Sequence, residues 1–183
     1  MITLITGPVR AGKSAFAERL AIESGLRVLY VATAQWDPSD AEWMARIQHH
    51  RERRPMNWQL LETGSGRGID LQICVREAPR DACLLVDSLG TWLADEMQVN
   101  AADPQRIDAR IEGLLAAFAG CSAEVVCVGE ETGWGLVPEY PAGRLFRDHL
   151  GRLQARLARR AGRAYLVVSG YAIDLKAMGK PIS

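Results

Sequence analysis

The sequence predicts an α/β domain in which a mostly parallel central sheet lies between two layers of helices. Five short runs of apolar, largely β-branched residues are typical of strands buried on both faces of such a sheet. These runs occupy residues 1–6, 27–34, 82–89, 124–131 and 164–170. Segments with helical spacing of apolar residues separate them, notably 38–54, 103–120 and 144–162. Because strands and helices alternate along the chain, a doubly wound three-layer arrangement is expected.

The length and composition are those of one globular domain over residues 1–183. Hydrophobic residues make up 48% of the chain, and 22 basic side chains balance 22 acidic ones, which gives no indication of binding to nucleic acid or membranes. No apolar stretch is long enough to cross a bilayer and no signal-peptide pattern opens the chain, so a cytoplasmic location is expected. The cysteines form no close CxxC pair, which favours buried reduced thiols over metal ligands or disulfides. They are Cys74, Cys83, Cys121 and Cys127.

The first strand leads directly into the glycine-rich segment GPVRAGKS at residues 7–14. In this spacing the glycines let backbone N–H groups point at phosphate oxygens, while Lys13 reaches the β- and γ-phosphates and the Ser14 hydroxyl binds Mg²⁺. A pattern this short also arises by chance. Here a β-branched strand precedes it and a helical pattern follows it, and that order favours a nucleotide-binding P-loop. Its predicted members are Gly7, Pro8, Val9, Arg10, Ala11, Gly12, Lys13 and Ser14.

An acidic residue, Asp87, follows the apolar run LLV at residues 84–86. A phosphate-binding loop commonly acts with a carboxylate at the end of a neighbouring strand, which holds Mg²⁺ or its water. Asp87 is therefore predicted to share the metal with Ser14. The alternative is that Asp87 only caps a helix that begins near Ser88. Two irregular stretches rich in glycine and proline, 62–70 and 132–143, are expected at the carboxyl edge of the sheet, near the ligand.

A basic segment, RIQHHRERRP at residues 46–55, carries two adjacent histidines. On a helix, Trp43, Ile47 and His50 share one face, and His49 points away from it. Guanidinium groups suit phosphate oxygens, and several surround the histidine pair. These arginines are Arg46, Arg51, Arg53 and Arg54. The alternative interpretation is a solvated basic face with two surface histidines.

Several stretches together resemble the bifunctional adenosylcobinamide kinase / adenosylcobinamide-phosphate guanylyltransferase family of cobalamin assembly. They are, in order, TGPVRAGKSAFAE, VLYVATA, MARIQHHRERRPMNWQLLE, LLVDSLGTWL, EETGWGLVPE, RLFRDHLGRLQARLA and YLVVSG. Each stretch is modest by itself, but their order and their spread over nearly the whole chain make the resemblance specific. It implies a RecA-type P-loop NTPase fold assembled as a homotrimer, with the corrinoid near subunit boundaries.

The resemblance implies two reactions in one protein. Members phosphorylate the aminopropanol hydroxyl of adenosylcobinamide and then transfer GMP from GTP to that phosphate through a guanylylated histidine. ATP or GTP would serve as substrate, with Mg²⁺ as cofactor. The family's histidine precedes a basic residue and an arginine–proline pair, which places the nucleophile on His50, with Lys13 as the second catalytic residue. His49 remains the rival nucleophile, because the two histidines are adjacent.

The resemblance also implies nucleotide contacts beyond the P-loop. They are Ala32, Thr33, Ala34, Arg51, Glu52, Arg53, Arg54, Glu62 and Asp87. In the family, Glu62 and Asp87 lie close to the bound nucleotide. Specificity for guanine rests on the resemblance, because the sequence shows no GTPase-style signature for reading the base.

The chain departs from the family pattern at a few positions. Glu130, Asp95 and Leu153 stand where the family usually has asparagine, and Thr132 replaces a valine. A carboxylate lacks the N–H donors of an amide, so corrinoid binding and the kinase step are the expected points of change. Two other interpretations therefore stay open. One is a P-loop kinase or nucleotidyltransferase with a single activity, and the other is a binding module in which GTP orders residues 132–143.

Overall fold

Seven strands and seven helices follow one another in this computed structural model, which describes residues 1–64 and 69–182. The strands are β1 (Ile2–Thr6), β2 (Arg27–Ala32), β3 (Gln59–Glu62), β4 (Ala82–Asp87), β5 (Glu124–Val128), β6 (Arg163–Val168) and β7 (Tyr171–Asp174). The helices are α1 (Lys13–Glu23), α2 (Ala41–Glu52), α3 (Leu71–Arg76), α4 (Leu89–Val99), α5 (Pro104–Gly120), α6 (Pro141–Arg160) and α7 (Leu175–Met178).

The strands form one sheet in the order β3-β2-β4-β5-β1-β6-β7. Strands β1 to β6 pair in parallel, and β7 pairs antiparallel with β6. The predicted mostly parallel sheet is thus confirmed. Because parallel strands end at the same edge, the carboxyl ends of β1, β2, β4 and β5 bring their following loops together.

The sheet separates two hydrophobic clusters, which confirms the predicted three layers. On one face, α3, α4, α5 and α6 pack against the sheet through fully buried side chains such as Leu93, Leu114 and Leu150. On the other face, α1 packs through Ala17 and Ala21. Burying a leucine is worth about 1.5–3 kcal/mol, so these layers hold the strand ends firmly in place.

The predicted helix at 38–54 is shorter at both ends in the structure. It begins at Ala41 because the Asp40 side chain accepts a hydrogen bond from the backbone N–H of Trp43 at 2.9 Å and so caps the first turn. The runs at 27–34 and 124–131 likewise leave the sheet early, at Ala32 and Val128. The residues that follow these two strands turn toward the carboxyl edge instead of continuing the ladder.

The sequence patterns do not predict β3, α3 or β7. Strand β3 is at one edge of the sheet and β7 is at the other. Gln59 in β3 and Tyr171 in β7 are exposed, so neither strand has the continuous apolar run of a strand buried on both faces. Helix α3 has only six residues, too few for a periodic pattern.

All four cysteines are free thiols, as predicted. Cys83 and Cys127 lie buried in β4 and β5, and Cys74 is buried in α3. Burial raises the pKa of Cys83 to about 11, so its thiol stays protonated at neutral pH. Cys121 differs from the prediction because it is half-buried at the end of α5.

The irregular segment 132–143 follows β5 and is largely exposed. The Arg147 guanidinium in α6 donates hydrogen bonds to the carbonyls of Leu136 and Gly133, each at 2.8 Å, and so ties this loop to the helix. Within the other irregular stretch, 62–70, residues 65–68 lie outside the described residues. None of the helices formed by residues 1–64 and 69–182 has the length and apolar character to cross a membrane.

Candidate nucleotide site

The P-loop joins β1 to α1 in the order that the sequence predicts. A Cβ at Gly7 would lie 2.1 Å from the carbonyl oxygen of Val167, so the close approach of β6 requires glycine there. Gly12 has a φ of +100°, a left-handed conformation that favours glycine, and it begins α1 without a side-chain cap. The first N–H groups of α1 therefore lack intrahelical partners. Together with the helix dipole they form a site for phosphate oxygens, next to the half-buried Ser14.

Lys13 lies buried at the base of this loop. It is 8% exposed, and its Nζ donates a hydrogen bond to the carbonyl oxygen of Pro8 at 2.8 Å. Burial lowers the pKa of Lys13, whereas the carboxylates of Glu130, Asp87 and Glu131 raise it. The ammonium group of Lys13 thus lies near several carboxylates. Phosphate oxygens bound at this loop would be attracted by the Lys13 ammonium and the positive end of the α1 dipole and repelled by these carboxylates.

The predicted acidic residues Glu62 and Asp87 lie at the ends of β3 and β4, on either side of β2. Ala32, the last residue of β2, pairs in register with Glu62 on one side and with Asp87 on the other. Adjacent strands are about 4.8 Å apart, so Glu62 and Asp87 flank Ala32 across roughly 10 Å. Thr33 then donates its hydroxyl hydrogen to the carbonyl of Ser88 at 2.7 Å, which joins this row to the start of α4. One edge of the sheet therefore carries all these predicted residues.

His50 lies in the last turn of α2, close to the strand end that carries Asp87. Its Nδ1 lies 3.8 Å from Oδ2 of Asp87, and the same oxygen accepts a hydrogen bond from the Tyr30 hydroxyl at 2.6 Å. The His50 side chain is 37% exposed, whereas that of Asp87 is 11% exposed. A ring nitrogen held toward a carboxylate leaves the other nitrogen, Nε2, available for chemistry. His49 is exposed, and its ring centre lies 6.5 Å from that of His50.

The arginines near His50 are placed in different ways. The Arg54 guanidinium lies 3.7 Å from the centre of the Tyr30 ring, and Arg53 pairs with Glu18 of α1 at 2.7 Å. Arg51 lies 5.2 Å above the Trp36 ring. Arg46 instead pairs with Glu42 on the exposed surface of α2, about one helical turn before the histidine pair. Glu52 is exposed at the end of the helix.

Some buried polar atoms of the candidate site and of residues next to it have no hydrogen-bond partner among the described residues. They are His50 Nδ1, Glu18 Oε1, Arg54 Nε and Thr63 Oγ1. Most buried polar atoms in folded proteins are paired, so such a group of unpaired atoms is a reason to expect a polar ligand. Burial raises the pKa of Glu18, while its partner Arg53 lowers it. These atoms all lie near the strand ends that carry the predicted nucleotide contacts.

The sequence analysis missed Tyr30 and Glu18 as site residues. Tyr30 is almost fully buried in β2, and burial raises its pKa well above the usual value. A hydroxyl within an apolar strand two residues before the predicted contact Ala32 is the signal that would have identified it. Glu18 has a comparable signal, because a carboxylate on the buried face of α1 requires a partner.

Glu130 connects β5 to the first turn of α4. Its carboxylate accepts hydrogen bonds from the Ser88 hydroxyl and from the backbone N–H of Gly90, the latter at 2.9 Å. A Cβ at Gly90 would clash with Glu130 Oε2, so a larger residue there would push this carboxylate aside. Burial raises the pKa of Glu130, and the Ser88 hydrogen bond opposes that shift. Since Ser88 follows Asp87, Glu130 holds the backbone next to the predicted metal ligand.

Two replacements of Glu130 should separate its charge from its hydrogen bonds. In Glu130→Gln, the amide can still accept from Gly90 and donate to Ser88, but the negative charge near Lys13 is gone. We therefore expect Glu130→Gln to bind a nucleoside triphosphate several-fold more tightly than the parent in calorimetry. Glu130→Ala leaves buried groups unpaired and should lower the free energy of unfolding by about 1–3 kcal/mol. Weaker nucleotide binding by Glu130→Gln would contradict this account of the charge.

The chain is similar over nearly its whole length to a known protein family and to several of its members. The family model described as cobinamide kinase / cobinamide phosphate guanyltransferase matches residues 3–175. A bifunctional adenosylcobalamin biosynthesis protein, CobP from Pseudomonas aeruginosa, is 41% identical over 182 residues that cover all of both chains. Proteins of the same description named CobU, from Salmonella typhimurium and Escherichia coli, are 41% and 40% identical over their whole lengths and 96% of this chain. The chain therefore belongs to the cobinamide kinase / cobinamide phosphate guanyltransferase family.

Proposed function

We propose that this protein phosphorylates adenosylcobinamide and then transfers GMP from GTP to adenosylcobinamide phosphate, through a guanylylated His50. The observation that carries the proposal is the position of His50 within the P-loop site, where Nδ1 lies 3.8 Å from Asp87. The family match and the bifunctional relatives support both activities. The nearby Asp87 carboxylate favours a role for His50 over the alternative of a histidine on a solvated basic face.

In the kinase step, the P-loop would hold the donor's phosphates. The N–H groups at the start of α1 and the Lys13 ammonium would bind the β- and γ-phosphate oxygens and offset the charge that builds on them during transfer. The acceptor's hydroxyl oxygen forms the new bond to the γ-phosphorus, the bond to the β–γ bridging oxygen breaks, and the hydroxyl proton is released. The nucleoside diphosphate then leaves.

In the guanylyl step, His50 would act as the nucleophile. Nε2 of the neutral ring attacks the α-phosphorus of GTP, and the bond to the α–β bridging oxygen breaks, so pyrophosphate leaves. The ring becomes positively charged, and Asp87 beside Nδ1 stabilises that charge. A phosphate oxygen of the acceptor then attacks the same phosphorus, the nitrogen–phosphorus bond breaks, and the neutral imidazole is restored.

A magnesium ion fits the donor set at this site. The Ser14 hydroxyl and the Asp87 carboxylate are oxygen ligands, and Mg²⁺ in nucleotide enzymes usually combines one or two such ligands with phosphate oxygens and water. When bound, the ion would lower the negative charge on the phosphates. Among residues 1–64 and 69–182, no cluster of three or more His, Cys, Asp or Glu side chains that could hold a metal is found.

Further proposals rest on the sequence and the resemblance alone. They are a single domain over residues 1–183, a homotrimer, and a cytoplasmic location. The predicted nucleotide contacts at Val9 and Arg10 also rest on the P-loop pattern alone. Both side chains are exposed, and no contact of theirs supports the prediction among the described residues. Sedimentation of the purified chain would test the trimer directly.

The experiment that tests the proposal is labelling with α-labelled GTP and Mg²⁺, followed by denaturation and peptide mapping. We expect label on the peptide that contains His49 and His50, released by acid and retained in alkali, as a nitrogen–phosphorus bond requires. Within that peptide, we expect the label on His50. Bound nucleotide with no covalent label would overturn the guanylyl step and leave a kinase or a binding module.

A further inference from the structure

A cleft with a volume of about 580 Å³ lies beside the nucleotide site, between the segment that leads into α2 and one side of α4. The indole rings of Trp36 and Trp43 belong to its lining on the α2 side, together with Gln35. Thr91 and Asp95 of α4 line the opposite side. Concave sites that combine aromatic walls with a few polar groups are typical of small-molecule binding.

The cleft accepts hydrogen bonds and carries negative charge. Its lining includes the carboxylates of Asp37, Asp40 and Asp95, and no lysine or arginine belongs to it among the described residues. Asp95 is 6% exposed, so its carboxylate lies in a partly desolvated environment. Such a lining favours neutral groups with N–H donors, such as primary amides, and disfavours phosphates.

The charge changes sign along α2, from this cleft to the nucleotide site. The helix begins with Asp40 and Glu42 and ends with His49, His50 and Arg51. Trp43 and His50 share one face of the helix, roughly 10 Å apart along its axis at about 1.5 Å per residue. A ligand with a donor-rich neutral body and an anionic end would align with this gradient, with its anionic end at His50.

Contacts of Thr91, which lines the cleft, connect it to the strand ends near His50. The Thr91 hydroxyl lies 2.5 Å from the Thr33 hydroxyl, and Thr33 in turn contacts Ser88, the neighbour of Asp87. Helix α1, which follows the P-loop, packs on the other face of the sheet. A nucleotide on the P-loop and a ligand in the cleft would therefore approach His50 from different sides.

We propose that this cleft binds the amide-bearing rim of the corrinoid acceptor, so that its aminopropanol arm extends along α2 to His50. The inference rests on the proposed function, because it assigns the acceptor end of the same site. The corrin ring is larger than the cleft, and so the cleft takes only part of its edge. The amide N–H groups donate to the carboxylate and amide oxygens, and the indoles contact the ring's apolar surface. The phosphate end stays outside, near the arginines.

A variant that fills the cleft tests the proposal. Ala94 lines the cleft from an exposed position on α4, so Ala94→Trp should block it without disturbing the core. The matched control is Val99→Trp, which places the same side chain at an exposed position of α4 that is not part of the lining. We expect Ala94→Trp to raise the KM for cobinamide phosphate at least about tenfold. Self-labelling by α-labelled GTP should remain unchanged, because that half-reaction needs no acceptor.

The other outcomes of this experiment distinguish the cleft from the nucleotide site. An unchanged acceptor KM in Ala94→Trp would overturn the assignment, and an equal loss of self-labelling would show that the cleft serves the nucleotide. Absence of self-labelling in the parent protein would reject the proposed function instead. In that case, equilibrium dialysis with cobinamide still tests whether the cleft binds the acceptor. The amount bound is measured by the visible absorbance of cobinamide. Binding to the parent and to Val99→Trp, but not to Ala94→Trp, supports it, and equal binding to all three, or to none, contradicts it.

Discussion

Replacing His50 with alanine is expected to lower GMP transfer from GTP to cobinamide phosphate by at least about 10⁴-fold, because the variant lacks the nucleophile that forms the covalent intermediate. Phosphorylation of cobinamide should remain measurable, since that step uses the P-loop and Lys13. The two activities are measured separately, with α-labelled GTP for the first and γ-labelled nucleotide for the second. The intermediate itself should disappear from the denatured protein.

His49→Ala is the matched control for this prediction. It removes the same number of atoms one residue away, from a side chain that is exposed and does not face Asp87. We expect it to retain GMP transfer close to that of the parent. Normal transfer by His50→Ala together with loss in His49→Ala would reverse the assignment of the two histidines.

Replacing Lys13 with methionine is expected to reduce both activities by about 10²–10³-fold, a typical cost of removing one positioned donor from a charged transition state. Methionine keeps most of the volume of this buried side chain, so the loss should come from the missing charge and not from a cavity. The hydrogen bond to Pro8 is also lost. Steady-state rates and the thermal unfolding midpoint would be measured together.

Lys180→Met provides the control, because Lys180 is an exposed lysine near the end of the chain. It should leave both rates unchanged. If Lys13→Met retained full turnover in both reactions, the segment GPVRAGKS would not be a phosphate-binding loop. A lower unfolding midpoint with unchanged rates would give Lys13 a structural role alone.

The strongest sequence signals were those that depend on local spacing. The glycine-rich loop, the parallel strands and the helices at 103–120 and 144–162 all have patterns that extend over one contiguous stretch, and the structure has these elements in the predicted order with shifts of a few residues. The edge strands β3 and β7 have no such pattern because one side of each is not covered by a neighbour. Their existence depends on pairing with β2 and β6.

The partners of individual side chains depended instead on long-range packing. The contacts of Glu130 with Ser88, of Arg53 with Glu18 and of Tyr30 with Asp87 join residues that lie far apart in the chain. The local sequence around these residues does not predict which side chains will be in contact. Tertiary packing decides these contacts. For Tyr30, the register that pairs Ala32 with Asp87 brings the hydroxyl, two residues earlier in β2, within reach of that carboxylate.

The sequence by itself determined that this chain is a P-loop α/β protein, because phosphate binding and buried parallel strands require local residue patterns. The cobinamide kinase / guanyltransferase family was indicated by the resemblance of several stretches, not by those patterns. The sequence also singled out His50 and Asp87 as separate candidates. Only the tertiary structure decided that these two side chains lie 3.8 Å apart and that a cleft opens beside them. The physical reason is that strand order and helix packing set distances between residues that are remote in sequence, and those distances determine which groups share one site.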